Sequence, residues 1–196
     1  MAKQVTSRNT KETQITVSLD IREAGPVEIN TGVPFFDHML TAMAFHGRFS
    51  LSVDAVGDLD VDPHHLVEDT GLVLGDTLGK FSKDGLQRYG HAIIPMDDAL
   101  SEVVIDACGR PYLEYQAAYP QVRSGDFDMW LVREFLLALS NRGMLNIHAL
   151  CRYGENSHHM AEALFKALGI ALKQAFTLSR IDVRSTKGVL HEGERN

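Results

Sequence analysis

The first regular pattern in the chain is an alternation over residues 14–21. Ile15, Val17, Leu19 and Ile21 are apolar, and Thr16, Ser18 and Asp20 between them are polar. A period of two predicts a strand with one buried face. Ala24-Gly25-Pro26 then reads as a turn and residues 27–30 as a return strand. Pro34 introduces FFDHMLTAMAFHG, whose apolar spacing predicts an amphipathic helix ending near Gly47. Phe49, Leu51, Val53 and Ala55 alternate again as a strand, and Pro63 opens a long helix running to about Lys83.

The second half repeats this order. Residues 92–107 contain strand-like material, notably EVVIDA, and Gly109-Arg110-Pro111 is a turn before the strand YLEYQAAY. Residues 127–141 read as a helix, 144–151 as a strand, and Asn156 or Ser157 is placed to cap a last long helix. The long helices align without a gap, Leu74 on Leu168, Gly75 on Gly169 and Leu78 on Leu172. HGRFSLS aligns on RGMLNIH, which pairs His46 with Arg142 and His38 with Glu134. Each half thus reads strand, strand, helix, strand, helix, and a tandem duplication is the simplest account. The expected class is α/β, an α+β two-layer sandwich of helices on sheet. Its half-repeats are residues 1–86 and 87–180, followed by a tail at 181–196, all in one compact domain.

Composition narrows the function. The chain has 196 residues, 44% of them hydrophobic, enough for a proper core. A net charge of −7 argues against phosphate-backbone binding, so no nucleic-acid partner is expected. Cys108 and Cys151 form no CxxC pair and no disulfide framework. The N-terminus has no apolar run, and no stretch approaches the roughly 20 apolar residues of a membrane helix. The expectation is a soluble cytoplasmic protein without a membrane partner.

Both long helices open on the same cluster, His64-His65 with Glu68, and His158-His159 with Glu162. Nitrogen and oxygen donors in this density suit a borderline divalent ion, Mn(II), Fe(II) or Zn(II), over Ca(II) or Mg(II). On a helix, residues three or four apart share a face, while adjacent ones diverge by about 100°. Glu68 can therefore join either His64 or His65, but the two histidines cannot easily chelate one ion. Each helix should serve two sites, with the missing donors coming from elsewhere in the fold or from another subunit. The repeat nominates His38 and Glu134, giving eight donors for two sites of four; His148, in the strand NIHAL, is an alternative.

HExxH, a P-loop and a strand-following GxGxxG are absent. Arg88, Arg110 and Lys187 sit at element boundaries, and Ser185-Thr186-Lys187 could hold a phosphate through hydroxyls and an ammonium.

The strings FFDHML, DPHHLVEDTGLVLG, MDDALSEVVIDACGRPYL, NIHALCRYGENSHHMAEALFKAL and STKGVL occur in one order between Thr10 and Leu190. In this the chain resembles imidazoleglycerol-phosphate dehydratase of histidine biosynthesis, in its monofunctional form. The resemblance implies a duplicated half-domain similar to the second domain of ribosomal protein S5. It implies a hydro-lyase that converts D-erythro-imidazole-glycerol phosphate to imidazole-acetol phosphate. It implies Mn(2+), two per subunit, and trimers assembled into a 24-subunit shell with metal sites between subunits. Carried onto this sequence, the metal ligands are His38, His64, His65, Glu68, His158, His159 and Glu162. Glu134 stands where some members have His. Substrate contacts fall on Glu12, His38, His46, His64, Glu68, Arg88, Arg110, His158, Lys166, Ser185, Thr186 and Lys187. Glu12 and His46 are the catalytic candidates, Glu12 for proton transfer. A metal-bound imidazolate would push out a hydroxyl through a diazafulvene-like intermediate. Two rival classes share the ligands: a dinuclear phosphate-ester hydrolase and a non-catalytic metal-binding cage.

Overall fold

The computed structural model describes residues 3–179. Its first half runs β1 (Gln4–Asn9), β2 (Thr13–Asp20), β3 (Val27–Asn30), α1 (Pro34–Gly47), β4 (Ser50–Gly57) and α2 (His64–Gly79). The second runs β5 (Tyr89–Met96), β6 (Ala99–Asp106), β7 (Tyr112–Gln116), β8 (Arg123–Ser124), β9 (Phe127–Asp128), α3 (Leu131–Gly143), β10 (Asn146–Tyr153) and α4 (Ser157–Ala175). The sheet orders are β1-β2-β4-β3 and β5-β6-β10-β7, and only the last pair of each is parallel. The halves therefore share one topology, with the small β8–β9 ribbon added to the second. The mixed α/β architecture agrees with the fold class expected from the repeat.

Both sheets bury one face, as their alternation requires. Ile15, Val17 and Leu19 of β2 meet Leu51, Val53 and Ala55 of β4, while Val103 and Ile105 face the core beside Ile147 and Ala149. The helices cross between halves: α1 packs on α4, and α2 on α3. Glycine makes both crossings possible. A Cβ on Gly169 would lie 1.9 Å from the Met43 carbonyl oxygen, and one on Gly75 would lie 2.7 Å from the Gly143 nitrogen. Phe36, Phe127, Phe135 and Phe165 fill the space between, and one continuous core results. No described helix is long and apolar enough to cross a membrane.

Several elements differ from the pattern-based expectation. β1 was not expected, because its side chains are mostly exposed and an edge strand needs no apolar alternation. Residues 92–107 resolve into a hairpin of two strands, turning at Asp97 with φ of 47°. The helix expected from residue 127 begins at Leu131, because Phe127 and Asp128 pair with Arg123 and Ser124. α2 stops at Gly79 instead of running to Lys83. Lys83 instead donates to the carbonyls of Gly143 and Met144, closing the C-terminus of α3. The expected tail, with Ser185, Thr186 and Lys187, lies outside the described residues.

Candidate metal and substrate site

α4 begins with a side-chain cap. The Asn156 oxygen accepts from the backbone N–H of His158 and of His159, fixing both histidines in the first turn. α1 begins at Pro34, and Asp37 accepts from the Thr31 N–H and hydroxyl, which puts His38 in the second turn. The α1–α4 crossing then brings three donors together. The Glu162 Oε2 lies 3.1 Å from His38 Nε2 and 3.2 Å from His158 Nε2. One ligand atom from each residue falls within 4.8 Å of the others, the one such group among the described residues. Phe35 sets its ring edge against His158 at 5.2 Å.

Glu162 is buried, and its other oxygen pairs with Lys166 Nζ at 2.9 Å. Burial alone would raise this carboxyl, but hydrogen bonds from Lys166 and His38 outweigh it and hold the group below its ordinary value. His46 lies two turns along α1 from His38. Its side chain is exposed, but partial desolvation, then the charge of Lys166, lowers its pKa.

The first-half cluster on α2 is more open. His64 Nε2 lies 3.6 Å from Glu68 Oε2, and the Trp130 ring flanks His64 at 5.2 Å. In both clusters the carboxylate pairs with the first histidine, four residues earlier. The adjacent histidine rings stand at 85° on α2 and 83° on α4, so they point to different places.

The second histidine of each pair has a different neighbour. His65 Nδ1 lies 3.0 Å from Asp58 Oδ2, and that hydrogen bond raises the His65 pKa. His159 Nδ1 lies 2.6 Å from Asp98 Oδ1. The hydrogen bond with His159 first, then those accepted from the N–H of Glu155 and of Asn156, hold the Asp98 carboxyl well below the usual range. A carboxylate on Nδ1 fixes the ring orientation and leaves Nε2 as the second ring nitrogen, which on His159 lies 3.8 Å from Asp97 Oδ2. This is how a metal-ligating histidine is usually oriented, and the donor set fits a borderline divalent ion.

The remaining expected site residues fall elsewhere. Glu12 sits in the β1–β2 turn and acts on His65 by charge. The Glu134 carboxylate pairs with Arg133 Nη1 at 3.1 Å and joins no three-donor group among the described residues. Arg88 makes a two-pronged pair with Asp106 at 2.7 and 3.0 Å, at the start of β5. That is the end of the hairpin away from Asp98, roughly 25 Å along the strand. Arg110 is exposed in the β6–β7 turn at that same far end. His148 is exposed on β10 beside Tyr112. One chain thus gathers His38, His46, His158, Glu162 and Lys166, with a second group of Glu12, His64, His65 and Glu68. Asp58, Asp98, Phe35 and Trp130 were not singled out from sequence; Asp98 lay within the MDDAL string but showed no local signature.

A duplicated α+β fold with paired histidine–carboxylate clusters has the donor chemistry of a metal-dependent enzyme scaffold, and comparison with known proteins narrows the class. A model of the family "Imidazoleglycerol-phosphate dehydratase" matches residues 31–172. The dehydratase of that name from Geobacter metallireducens is 53% identical over 187 residues, covering 93% of this chain and 96% of the relative. The one from Limosilactobacillus fermentum is 50% identical with the same coverage. The crystal structure of the Staphylococcus aureus enzyme has a TM-score of 0.82 at 39% identity, covering 91% of this chain and 100% of that one. The Pyrococcus furiosus structure gives 0.83 at 40% identity, covering 94% and 100%. The chain belongs to the imidazoleglycerol-phosphate dehydratase family and is a carbon–oxygen hydro-lyase.

Proposed function

We propose that this enzyme, which serves histidine biosynthesis, dehydrates D-erythro-imidazole-glycerol phosphate to imidazole-acetol phosphate in the cytoplasm. The observation that carries this reading is the His38–His158–Glu162 group, backed by Lys166 and with His46 close enough to feel the charges of Lys166 and Glu162. We assign Mn(2+), two per subunit, to the doubled clusters. His38, His64, His65, Glu68, His158, His159 and Glu162 would hold the ions, with Glu134 as the second-half counterpart of His38. Bound there, a divalent ion supplies Lewis-acid charge that draws the substrate imidazole towards its imidazolate form.

The reaction must break the C3–oxygen bond and remove the C2 proton, which no carbonyl acidifies. Electrons from the substrate ring expel the C3 hydroxyl, which takes up a proton and departs as water, and a diazafulvene-like species remains. Loss of the C2 proton gives an enol, which takes a proton at C3 to become the ketone. Glu12, exposed beside His65, moves protons on one side. His46, whose pKa is lowered by partial desolvation and by the charge of Lys166, can hold a proton on the other. Arg88, Arg110, Lys166, Ser185, Thr186 and Lys187 are assigned to the phosphate and the triol chain. Arg88 and Arg110 lie at the far end of the sheet from the His158–Glu162 group, which supports a site completed by neighbouring subunits of a trimer-based 24-subunit shell.

The deciding experiment incubates the Mn(2+)-loaded protein with imidazole-glycerol phosphate and follows ultraviolet-absorbing keto/enol product alongside inorganic phosphate. Product without phosphate release is expected. Phosphate release without it would identify a hydrolase, and metal content with neither would leave a binding cage. Glu12→Gln should keep metal and substrate binding and lose at least about a hundredfold in kcat; normal turnover would remove Glu12 from the mechanism.

A further inference from the structure

The two halves share one topology, so each serves as a control on the other. Their register is fixed by the left-handed caps after α1 and α3, Arg48 with φ of 53° and Met144 with φ of 52°. From there Leu51 corresponds to Ile147, and their strand partners Leu19 and Ile105 correspond. Counting back along β2 and β6 pairs Thr13 with Ala99 and Glu12 with Asp98. The long helices pair His65 with His159 and Asp69 with Ala163.

The hairpin carboxylates have diverged. In the second half Asp98 holds His159 Nδ1 directly. In the first half that task has passed to Asp58, in the longer connection of residues 58–63 that replaces 154–156. Glu12 is thereby released: its carboxylate makes no hydrogen bond or ion pair among the described residues, and acts on His65 by charge alone. A free carboxylate at a hairpin tip still has to be held in place if it is to reach one proton.

The hold is one residue away. Thr13 Oγ1 donates to Asp69 Oδ2 at 2.5 Å, and Arg8 Nε pairs with Asp69 Oδ1 at 3.1 Å. The Thr10 hydroxyl oxygen accepts from the N–H of both Glu12 and Thr13, stiffening the turn itself. Asp69 is only 8% exposed, and burying a carboxylate carries a desolvation cost. The fold does not require that expense here. Ala99 and Ala163, at the matching positions, are 1% and 0% exposed, so the other half buries two apolar side chains there. The polar link exists only in the half whose hairpin carboxylate is unspent.

We propose that Thr13 and Asp69 are positioning residues, whose bond ties the residue beside Glu12 to the residue beside Glu68 and so holds Glu12 at the reacting carbon. The inference rests on the proton-transfer role assigned to Glu12. Thr13→Ala/Asp69→Ala recreates the alanine pair that the other half already packs. This double variant is expected to fold, to keep its Mn(2+) content and to hold KM within about twofold. Its kcat should fall roughly tenfold to a hundredfold. Thr13→Ser, which restores the donor, should turn over within about threefold of the parent, and Thr13→Val should lose kcat as the double variant does. Wild-type kcat in the double variant or in Thr13→Val would overturn the inference, because the link would then be dispensable. So would a loss of metal and a rise in KM in step with kcat, which would mark the bond as support for α2 alone. Should the double variant not fold, the Thr13→Ser and Thr13→Val pair decides by the same criteria. A parent protein with no dehydratase turnover would fail the proposed function itself, whereas an active parent with an unaffected Thr13→Val fails only this inference.

Discussion

At the scale of single residues, the site is set by what occupies the far side of each histidine. Asp58 takes His65 Nδ1 and Asp98 takes His159 Nδ1, so each ring is held by a carboxylate at the same nitrogen. Asp58→Ala removes the orienting carboxylate without touching a proposed ligand. Mn(2+) affinity is expected to fall about 10- to 100-fold, with far-ultraviolet circular dichroism unchanged. Unchanged affinity in a metal titration would show that His65 is not oriented for a metal by Asp58. The histidine pairs and their glutamates were legible because a helix repeats them at fixed spacing. Asp98 was not, because it meets His159 only through the β5–β6 turn, 61 positions away in sequence. Arg88 shows the converse limit. Its place at an element boundary was visible, but its pairing with Asp106 depends on strand register, which no local pattern encodes.

At the scale of elements, two helix crossings hold the clusters in place. Gly169→Ala would drive a Cβ to 1.9 Å from a backbone oxygen of α1, a contact no side-chain movement relieves. A loss of about 3 kcal/mol is expected, at the upper end for overpacking. That corresponds to a drop in Tm of roughly 6–12 °C for a chain this size. An unchanged Tm would mean that α1 and α4 separate without cost. Lys83 offers a test by pH at the other crossing. Burial lowers its pKa, an effect the Cys108 thiol only partly offsets. The folded protein therefore releases this proton at lower pH than the unfolded chain does. Stability relative to Lys83→Met should rise with pH through the folded-state pKa until the unfolded value of about 10.4. Denaturant midpoints for both proteins across that range check it, and a gap that narrows on the alkaline side would contradict it. Helices and buried strands were legible from apolar spacing. β1 and the β8–β9 ribbon were not, because their order comes from pairing, with little apolar burial to mark β1 in the sequence.

At the scale of the whole molecule, the distribution of donors bears on assembly. Among the described residues one three-donor group forms at His38, His158 and Glu162, and the carboxylate-held His65 and His159 lie outside it, their rings turned 85° and 83° from those of their helix neighbours. An octahedral ion needs more donors than any one of these groups offers. If the ions bridge subunits, metal and assembly are thermodynamically linked, since whatever binds only the assembled state stabilises it. Removing metal with a strong chelator should then lower activity at least about a thousandfold, a loss of several kcal/mol of transition-state stabilisation. The same treatment should shift the sedimentation profile from a 24-subunit particle to trimers, and Mn(2+) should reverse both changes. The two readouts separate two roles. An enzyme that loses activity but keeps its full size would hold its metals within one trimer, serving chemistry alone. One that falls to trimers yet stays active would use metal only as a joint. Loss of both together, with one metal dependence, is the outcome that follows if His65 and His159, which lie outside the one three-donor group among the described residues, complete their sites with donors from neighbouring subunits.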